Sequence, residues 1–571
     1  MMMKARATVA ALSLPLSAPG LVPGRRWFNG APAWSIAVLA GAGLLVLAPL
    51  LSLVGIAATG DASLWRGLLA NVLPGALQET ALLLLGVALV AGVTGIGTAW
   101  LVTAHRFPGR TLLAWLLPLP LAVPAYITAY VYVDLFDAAG PVQSALRTWT
   151  GWRRADYWFP EIRSLPGCIL VMSAVLYPYV YITARAMFLT QSAAMMEVAR
   201  TLGAGRFVLF RTVALPLARP ALAVGLSLAL LEALNDVGAA EYLGVRTLTV
   251  SVYTTWLNRG SLAGAAQIAC AMLAIVIALI ALEQRGRRLR RYSPSARRPR
   301  AAQPIDLPAR MGSVAVLACA VPVLAGFLIP LGFLVRETLS RGLLATAGTD
   351  FLRALGATMG IAAAATLAAL LLGVVVVTAA RLARHQATDL ARMLAGLGYA
   401  VPGTVLALGM LGPLVAVDEA LGFAWRALTG ERLGLVLMGS SLAIVVAYTT
   451  RFLPIATGAL AAGLERVSGS VEDAARLLGA KPRELALRVQ LPLLRPALAS
   501  AALLVFVDCL KELPATLLLR PLNTETLSTL VYGAASRGSF EDGSLAALVI
   551  VLVGMWPVIR LTRGAEGRPA G

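Results

Sequence analysis

The chain reads Glu197-Val-Ala-Arg-Thr-Leu-Gly203-Ala and, after a short interval, Leu215-Pro-Leu-Ala-Arg-Pro-Ala-Leu222. A second copy reads Asp473-Ala-Ala-Arg-Leu-Leu-Gly479-Ala and continues to Leu491-Pro-Leu-Leu-Arg-Pro-Ala-Leu498. The matching glycines and the matching Leu-Pro pairs are all 276 positions apart. Because chance similarity does not hold one register over some 26 residues, the chain contains an internal duplication. Each copy is a polar, arginine-bearing hairpin within an apolar half, which predicts two equivalent docking surfaces for a partner in the water.

The composition is that of an integral membrane protein. Of the 571 residues 59% are hydrophobic and 13% are charged, and the mean hydropathy is +0.80, whereas about a quarter of the residues in soluble domains are charged. Segments such as 34–58, 81–104 and 311–335 each reach the roughly 20 residues that cross a bilayer as a helix. The same criterion finds about six segments in each half. We therefore predict an all-α membrane protein with about 12 transmembrane helices.

The net charge of +20 raises the question of nucleic-acid binding. The basic residues do not gather on one soluble domain, however. They lie in the N-terminal segment, in short loops, in the two hairpins, in a linker and in the tail. If these segments are cytoplasmic, their charges follow the positive-inside rule. We therefore expect membrane lipids, and no nucleic acid, among the partners.

The cysteines and histidines favour neither a disulfide framework nor a zinc site. The four cysteines are far apart in apolar segments, and the chain has two histidines and no Cys/His cluster. Buried small hydrophobic side chains are the better interpretation of the cysteines. The sequence also lacks the Gly-Lys-Ser/Thr signature of a phosphate-binding loop, so we expect no nucleotide site on this chain.

The duplication extends over most of each half. Thr80 corresponds to Thr358, and Val123-Pro124 corresponds to Val401-Pro402, both at an offset of 278. Because both halves place the hairpin on the same side, the repeat is parallel and predicts a pseudo-two-fold axis along the membrane normal, where a substrate path would lie. The predicted parts are a cytoplasmic N-terminal extension (1–33), a first transmembrane domain (34–282, hairpin 190–220), a basic, disordered cytoplasmic linker (283–310), a second transmembrane domain (311–562, hairpin 466–496) and a cytoplasmic tail (563–571).

Aromatic residues and prolines mark the third and fourth segments of the first half. Prolines 118, 120 and 124 should kink the third helix, at about 111–135. Segment 137–166 carries four Trp or Tyr residues, and we expect it outside the cytoplasm, as an aromatic belt or as a surface for a binding protein. For Tyr177, Tyr179 and Tyr181 we expect a role as interface anchors, with the lining of a path as the alternative.

The fifth segment of each half contains a pair of carboxylates. Glu232 and Asp236 are four residues apart and share one helix face, and Asp508 and Glu512 repeat them at an offset of 276. Counted from Pro220, Glu232 lies roughly 18 Å along the helix, beyond the membrane midplane. A charged group inside the membrane costs at least about 2.5 kcal/mol, so it needs a partner or a purpose.

Two interpretations of these carboxylates remain open. In the first, all four line the outer part of a path for a cation, because hard cations prefer oxygen ligands. They would form a weak transit site and no permanent metal site, since a chelating site would hold the ion. In the second, they bond to neighbouring side chains, Asn235 in the first half and Lys511 in the second.

The repeated hairpin resembles the EAA loop of ABC-importer permeases, in which an acidic residue is followed by Ala, by Gly six positions on, and by Leu-Pro further downstream. The second hairpin has Asp473 where Glu is common, with Glu472 just before it. Two further segments are similar to the iron(III) transport branch of these permeases, as is the fused form with two halves. They read Glu232-Ala-Leu-Asn-Asp-Val-Gly-Ala-Ala-Glu-Tyr242 and Leu510-Lys-Glu-Leu-Pro-Ala-Thr-Leu-Leu-Leu-Arg520-Pro.

The likeness covers nearly the whole chain from about residue 34, and it implies the type I ABC importer permease fold with two tandem six-helix repeats. It also implies a permease for ferric iron in the bacterial inner membrane. A periplasmic or lipid-anchored binding protein would deliver the iron, and a separate ATPase dimer would use the ATP. The permease itself would be no enzyme and would bind no cofactor.

The resemblance places the ATPase on the two hairpins. An acidic residue suits the N-terminal end of a short helix there, and a glycine can adopt the positive φ that a helix-turn-helix needs. The expected docking residues are Glu197, Ala199, Arg200 and Gly203 in the first hairpin, and Asp473, Ala475, Arg476 and Gly479 in the second.

The sequence leaves alternatives to a ferric iron permease open. Within the ABC class, the substrate could be a polyamine, thiamine or an oxyanion, although carboxylates on the path argue against the oxyanion. A proton- or sodium-driven carrier could also be a twelve-span duplication with buried carboxylates. Such a carrier has no reason to keep two copies of a long docking hairpin.

Overall fold

The computed structural model describes residues 33–190, 201, 203, 205–288, 304–383, 398–467, 469–480 and 484–566. Nearly all of the predicted N-terminal extension, the middle of the predicted linker and the last part of the tail lie outside these residues.

Helices dominate the described residues, and eleven of them are long and apolar enough to cross a membrane. Two helical pieces that meet at 95° pass the same test as a pair, and the number of spans is twelve when this bent pair is taken as one span, the third in chain order. The prediction of about twelve spans, six in each half, is therefore confirmed. In chain order, the first to twelfth spans are Trp34–Ala58, Leu73–Ala104, the bent pair Arg110–Ala122 and Ala125–Thr150, Leu165–Leu189, Phe207–Asn235, Leu262–Gln284, Ala309–Ser340, Thr349–Arg381, Gly403–Thr429, Ser441–Leu464, Leu485–Lys511 and Phe540–Arg560.

Short helices connect the spans. Several begin at a side chain that accepts a hydrogen bond from the first turn, as Asp61 does from the Leu64 amide at 2.8 Å. The short helices are Ala62–Asn71, Gly238–Tyr242, Leu248–Leu257, Gly469–Leu477, Pro514–Leu519 and Leu527–Ser536.

The third span is broken rather than kinked. Its helix ends at Leu116, a 3-10 turn covers Leu119–Ala122, and a new helix runs over Ala125–Phe136. The nitrogen of Pro118 has no hydrogen to donate to the Ala114 carbonyl four residues earlier. The Tyr181 hydroxyl, from the fourth span, donates to that carbonyl instead at 3.0 Å.

Tyr177 has the same role as Tyr181. Its hydroxyl donates to the Leu117 carbonyl at 2.8 Å, and both tyrosine side chains are fully buried. Within a membrane a freed carbonyl must find such a donor, because no water can serve. The interface role expected for these two tyrosines is therefore wrong. Tyr179, between them in sequence, faces the cavity described below.

The first span of each half packs against the other half. Gly409, in the ninth span, approaches the first span so closely that an added Cβ would lie 2.3 Å from the Pro49 carbonyl oxygen. Likewise, an added Cβ at Gly326 in the seventh span would lie 2.1 Å from the Ala174 carbonyl oxygen, and the Tyr132 hydroxyl donates to the Ala325 carbonyl at 2.7 Å. These reciprocal contacts join the halves into one packed unit.

The duplication also reappears as a repeated hydrogen bond. The Leu248 amide donates to Thr80 Oγ1 at 3.0 Å, and the Leu527 amide donates to Thr358 Oγ1 at 2.8 Å. Each bond ties a short helix to the second span of its own half. The two halves therefore share internal geometry as well as sequence.

The predicted linker is ordered at both ends. The helix of the sixth span runs over Leu262–Arg288. It therefore extends beyond residue 282, the predicted end of the first transmembrane domain. At the other end, Ile305–Asp306 forms a parallel two-residue strand beside His105–Arg106, and a helix begins at Ala309. The expectation of disorder throughout 283–310 therefore fails at these ends.

Removing the Tyr181 hydroxyl should destabilise the protein. In Tyr181→Phe the Ala114 carbonyl loses its donor inside the membrane, and we expect a loss of about 1 kcal/mol. The measurement is the thermal unfolding midpoint of the purified protein in detergent. Tyr126→Phe is the matched control, because the buried Tyr126 hydroxyl has no hydrogen-bond partner among the described residues. Equal midpoints for the two variants would contradict the role assigned to Tyr181.

Candidate functional site

The second predicted docking hairpin begins with the helix Gly469–Leu477. Gly479 lies two residues beyond the helix end, and its φ of +86° is the left-handed conformation that glycine adopts without strain. The Ala480 amide then donates to the Ala475 carbonyl at 3.0 Å, which closes the turn. The chain next enters the eleventh span, so the hairpin directly precedes a helix that crosses the membrane.

The first hairpin is described only in part. Gly203 has a φ of +83°, close to the value at its duplicate, and an added Cβ at either glycine would meet no atom of the described residues within 4 Å. The positive φ is the feature of both turns that favours glycine. Glu197, Ala199 and Arg200 lie outside the described residues, and so does the Arg476 side chain.

Two neighbouring acidic residues in the second hairpin face opposite ways. Glu472 is buried, and its carboxylate lies 3.2 Å from Arg381 Nε and accepts a 3.1 Å hydrogen bond from Gln490 Nε2. Asp473 is exposed. The motif pattern assigns Asp473 as its acidic residue, but Glu472 is the one that anchors the helix to the inner end of the eighth span. The residue that follows the helix end, Leu478, is 89% exposed.

A small cavity of about 70 Å³ lies between the two halves near the outer ends of the fifth and eleventh spans. This is room for a few water molecules. The polar side chains in its wall are Tyr126, Tyr179, Glu232, Asn235, Asp236, Lys511 and Glu512. Three of the four predicted path carboxylates thus share one cavity. Asp508 is not part of the wall and lies behind Lys511, whose Nζ is 2.7 Å from its carboxylate.

Each carboxylate of the first half has a hydrogen-bond donor. Glu232 Oε1 accepts a 2.6 Å hydrogen bond from the Tyr399 hydroxyl, which belongs to the second half. Asp236 Oδ1 accepts a 2.7 Å bond from the Ala239 amide and so caps the next short helix. Both donors are uncharged, so neither of these hydrogen bonds neutralises a carboxylate.

The carboxylates of the second half are instead paired with cations. Lys511 neutralises Asp508, as the local-partner interpretation anticipated. Glu512 Oε2 lies 3.4 Å from Arg451 Nε, and its Oε1 accepts a 3.2 Å hydrogen bond from the Ala515 amide. Four carboxylates and two cations leave this region with a formal excess of two negative charges.

Asn235 does not bond to the carboxylates beside it, as one interpretation expected. Its Oδ1 accepts hydrogen bonds from the Gly403 amide at 2.6 Å and from Arg451 Nη1 at 3.2 Å. Both donors come from the second half. Asn235 therefore joins the end of the fifth span to the ninth and tenth spans.

Arg451 is the functional candidate that the sequence analysis missed. It is 3% exposed and lies in the middle of the tenth span, Ser441–Leu464. The available signal was a single arginine in an otherwise apolar segment, because a charge inside the membrane needs a partner or a purpose.

The described residues contain no group of three or more His, Cys, Asp or Glu side chains placed to hold a metal ion. Within the described part of the chain, the cavity therefore encloses no preformed coordination sphere of these residue types.

Comparison with known families matches two segments, residues 91–291 and 377–563, to the binding-protein-dependent transport system inner membrane component. Together these segments make up more than half of the chain. The chain belongs to this family. It is therefore a multi-pass inner membrane permease of a binding-protein-dependent ABC transporter, with the family domain present once in each half.

Curated relatives of this permease fall into two length classes. The Fe(3+)-transport system permease protein FbpB 2 of Haemophilus influenzae is 26% identical over 500 residues, which cover 86% of this chain and 90% of the relative. The molybdenum transport system permease protein ModB of Escherichia coli is 31% identical over 194 residues, 33% of this chain and 81% of the relative. The sulfate transport system permease protein CysT of Salmonella typhimurium is 30% identical over 201 residues, 35% of this chain and 70% of the relative.

The half-length matches agree with the duplication. The molybdenum and sulfate permeases match about one third of this chain, and that match covers most of their own length. This is expected if each half of this permease contains one family domain. The iron permease of Haemophilus influenzae is matched along both halves.

Arg451 and Glu512 should be strongly coupled in stability. Arg451→Met leaves Glu512 without its cation inside the membrane, and we expect a loss of about 3–5 kcal/mol. The double variant Arg451→Met/Glu512→Gln should recover much of that loss, because no buried charge is left unpaired. Chemical unfolding of the purified protein measures the cycle. Arg353→Met is the control, since the Arg353 side chain is 79% exposed. Additive effects of the two buried substitutions would contradict the pairing.

Proposed function

We propose that this permease carries ferric iron, delivered by a binding protein, across the inner membrane, and that a separate ATPase subunit supplies the energy. The observation that carries this proposal is the cavity between the halves, where Glu232 and Asp236 of the first half face Glu512 of the second. Carboxylate oxygens suit a hard, highly charged cation, and the excess of negative charge favours a cation over an anion. The full-length iron relative supports the same substrate.

The names of the half-length relatives favour an oxyanion as the rival substrate, molybdate or sulfate. An oxyanion would need free cationic groups in the path. Lys511 and Arg451 are the cations beside this cavity, and each is already paired with a carboxylate. The arrangement of charges therefore argues against the oxyanion. Polyamines and thiamine remain as cationic alternatives within the same transporter class.

The ATPase dimer docks on the two hairpins in this proposal. At the second hairpin, Leu477 and Leu478 are each 89% exposed beside the exposed Asp473, and they offer an apolar contact with an acidic edge. The ion pair between the buried Glu472 and the partly exposed Arg381 would transmit movement of the hairpin to the eighth span. By duplication, Glu197, Ala199, Arg200 and Gly203 would form the equivalent surface.

Alternating access requires the two halves to rock about the cavity. The hydrogen bonds of Asn235 with Gly403 and Arg451, and of Glu232 with Tyr399, all join one half to the other near the outer side. Opening toward the binding protein would break them and expose the carboxylates. On the outer surface, Trp149 and Trp158 are 94% and 85% exposed, which supports this segment as part of the contact with the binding protein.

The permease would need no resident cofactor and would catalyse no reaction of its own. ATP would be bound and hydrolysed by the partner subunit. The iron itself would be a cargo held weakly in transit.

The direct test is uptake of radiolabelled ferric iron into vesicles that contain the permease and its ATPase, with iron-loaded binding protein outside. We expect ATP-dependent uptake that Glu232→Gln/Asp236→Asn reduces at least tenfold, because the charge that attracts the ion is lost. These two positions are better probes than Asp508 and Glu512, whose neutralisation would leave Lys511 or Arg451 unpaired. Asp350→Asn is the matched control, since this carboxylate lies on an exposed helix start away from the cavity.

The results separate the candidate functions. Coupled ATP hydrolysis without iron uptake would overturn ferric iron as the substrate, and uptake of molybdate, sulfate, a polyamine or thiamine would then identify the class. Uptake that ignores ATP and follows a proton gradient would overturn the ATP-driven mechanism.

The two positive-φ glycines provide a test of docking. In Gly203→Val/Gly479→Val the turns are strained by roughly 1–2 kcal/mol each, and we expect loss of ATP-dependent transport with normal membrane insertion. Gly203→Asn/Gly479→Asn is the matched control, because asparagine tolerates the left-handed conformation. Full transport by the valine variant would rule out a docking role for these turns.

A further inference from the structure

Two short helices on the outer side of the membrane are equivalent by duplication. Leu248–Leu257 follows the fifth span and Leu527–Ser536 follows the eleventh. Their N-terminal caps, Thr247 and Thr526, are 279 positions apart, and each accepts a hydrogen bond from the amide three residues on, at 3.3 Å.

Tyr253 and Tyr532 occupy the same position in these two helices, again 279 residues apart. Their hydroxyl oxygens are 3.1 Å apart, and their rings meet edge to face with centroids separated by 6.2 Å. Equivalent residues of a two-fold repeat can touch each other only close to the axis that relates them. The pair therefore lies on the pseudo-two-fold axis, where the substrate path is expected.

A carboxylate completes the cluster. Glu241 Oε2 accepts a 2.8 Å hydrogen bond from the Tyr532 hydroxyl. Because that hydroxyl has a single hydrogen, the Tyr253 hydroxyl donates in turn to the Tyr532 oxygen. All three side chains are only partly buried, so water reaches them.

The cluster is connected to the cavity through neighbouring tyrosines. Tyr242, next to Glu241, packs edge to face on Tyr130 with ring centroids 4.5 Å apart. Tyr130 in turn lies 5.9 Å from the ring of Tyr126, which forms part of the cavity wall. Oxygen-bearing side chains thus continue from the outer surface down to the carboxylates of the cavity.

We infer that Tyr253, Tyr532 and Glu241 form an entry site that takes a ferric ion from its carrier at the outer end of the path. This inference rests on the proposed function, since it assumes that ferric iron is the cargo. The site would be assembled from both halves, with one tyrosine from each.

The chemistry and spacing of the three oxygen atoms suit such an ion. Hard cations prefer oxygen ligands, and tyrosine oxygen is an established protein ligand of ferric iron. Neighbouring ligands of an octahedral ion with metal–oxygen bonds of about 2.0 Å are about 2.8 Å apart. The observed separations of 2.8 and 3.1 Å are close to this value, so small side-chain movements would admit the ion.

Binding of the ion as described releases two protons, one from each tyrosine. Burial is the main cause that raises the pKa of Tyr253 and of Tyr532, so both hydroxyls are protonated in the absence of the ion. Binding as phenolates replaces both protons by two iron–oxygen bonds and releases the protons to water. This requirement weakens the site and favours transfer of the ion over its retention.

Two arginines lie near the cluster, and one of them is neutralised by a carboxylate. Arg520 faces Tyr253, but its guanidinium is ion-paired with Glu525. Arg163 lies over the Tyr242 ring, 4.8 Å from its centroid. Glu241 has no salt bridge among the described residues and supplies the negative charge at the site.

The test uses the full chain in lipid nanodiscs, titrated with ferric nitrilotriacetate. We expect a visible phenolate-to-iron charge-transfer band in the wild-type protein, reduced in Tyr253→Phe and in Tyr532→Phe and lost in the double variant. Tyr157→Phe is the matched control and should keep the band, because Tyr157 bonds to Gln143 in the outer segment away from the cluster. Phenylalanine preserves the ring packing, and the single variants serve if the double variant does not fold.

A wild-type protein without the band would overturn the entry site, and so would a band that survives in the double variant. The cluster would then be a hydrogen-bonded latch, even if its variants transport poorly. Iron uptake in the vesicle assay keeps the two proposals apart. Normal ferric uptake without the band would contradict only the entry site. ATP-coupled transport of another solute would contradict ferric iron as the substrate.

Discussion

A buried guanidinium constrains how the two halves of this permease meet. Arg451 lies inside the tenth span, where an uncompensated charge is costly. It therefore keeps Glu512 of its own half and Asn235 of the other half within reach. The position of the fifth span relative to the ninth and tenth follows from these contacts. The buried charge that joins the halves also marks contacts that any separation of the halves has to break.

The broken third span shows how backbone chemistry makes room for a path. Prolines remove amide donors, and the carbonyls they leave free would be expensive inside a membrane. The Tyr181 hydroxyl of the fourth span satisfies one of them, at Ala114, and the Tyr177 hydroxyl satisfies the Leu117 carbonyl at the break. The break brings Pro124 and Tyr126 to the cavity wall, where a continuous helix would have kept its side chains in a regular spiral. The same break in the third span therefore explains both the tyrosine hydrogen bonds to the backbone and the shape of the cavity wall.

The two halves share a scaffold but differ in the side chains at the axis. Asn235 and Lys511 are equivalent by the 276-residue offset, yet the first bridges to the other half and the second neutralises Asp508 next to it. The tyrosine pair keeps the symmetry, whereas Glu241 has no acidic equivalent, since Leu517 stands 276 residues on and Arg520 stands 279 residues on. A fused duplication permits such divergence, because each half has its own stretch of the chain and can change independently. One path also needs only one set of ligands.

The sequence by itself determined the class of the protein. Hydrophobic runs of fixed length, a duplication in constant register and two polar hairpins are local or periodic signals, and they predict twelve spans, a parallel repeat and the docking motif without knowledge of packing. The tertiary structure decided which groups meet. Arg451 with Asn235, Tyr399 with Glu232 and Tyr253 with Tyr532 are separated by more than 160 residues and join different halves. No local pattern encodes such pairs, because their energy depends on burial and distance that exist only once the helices have packed.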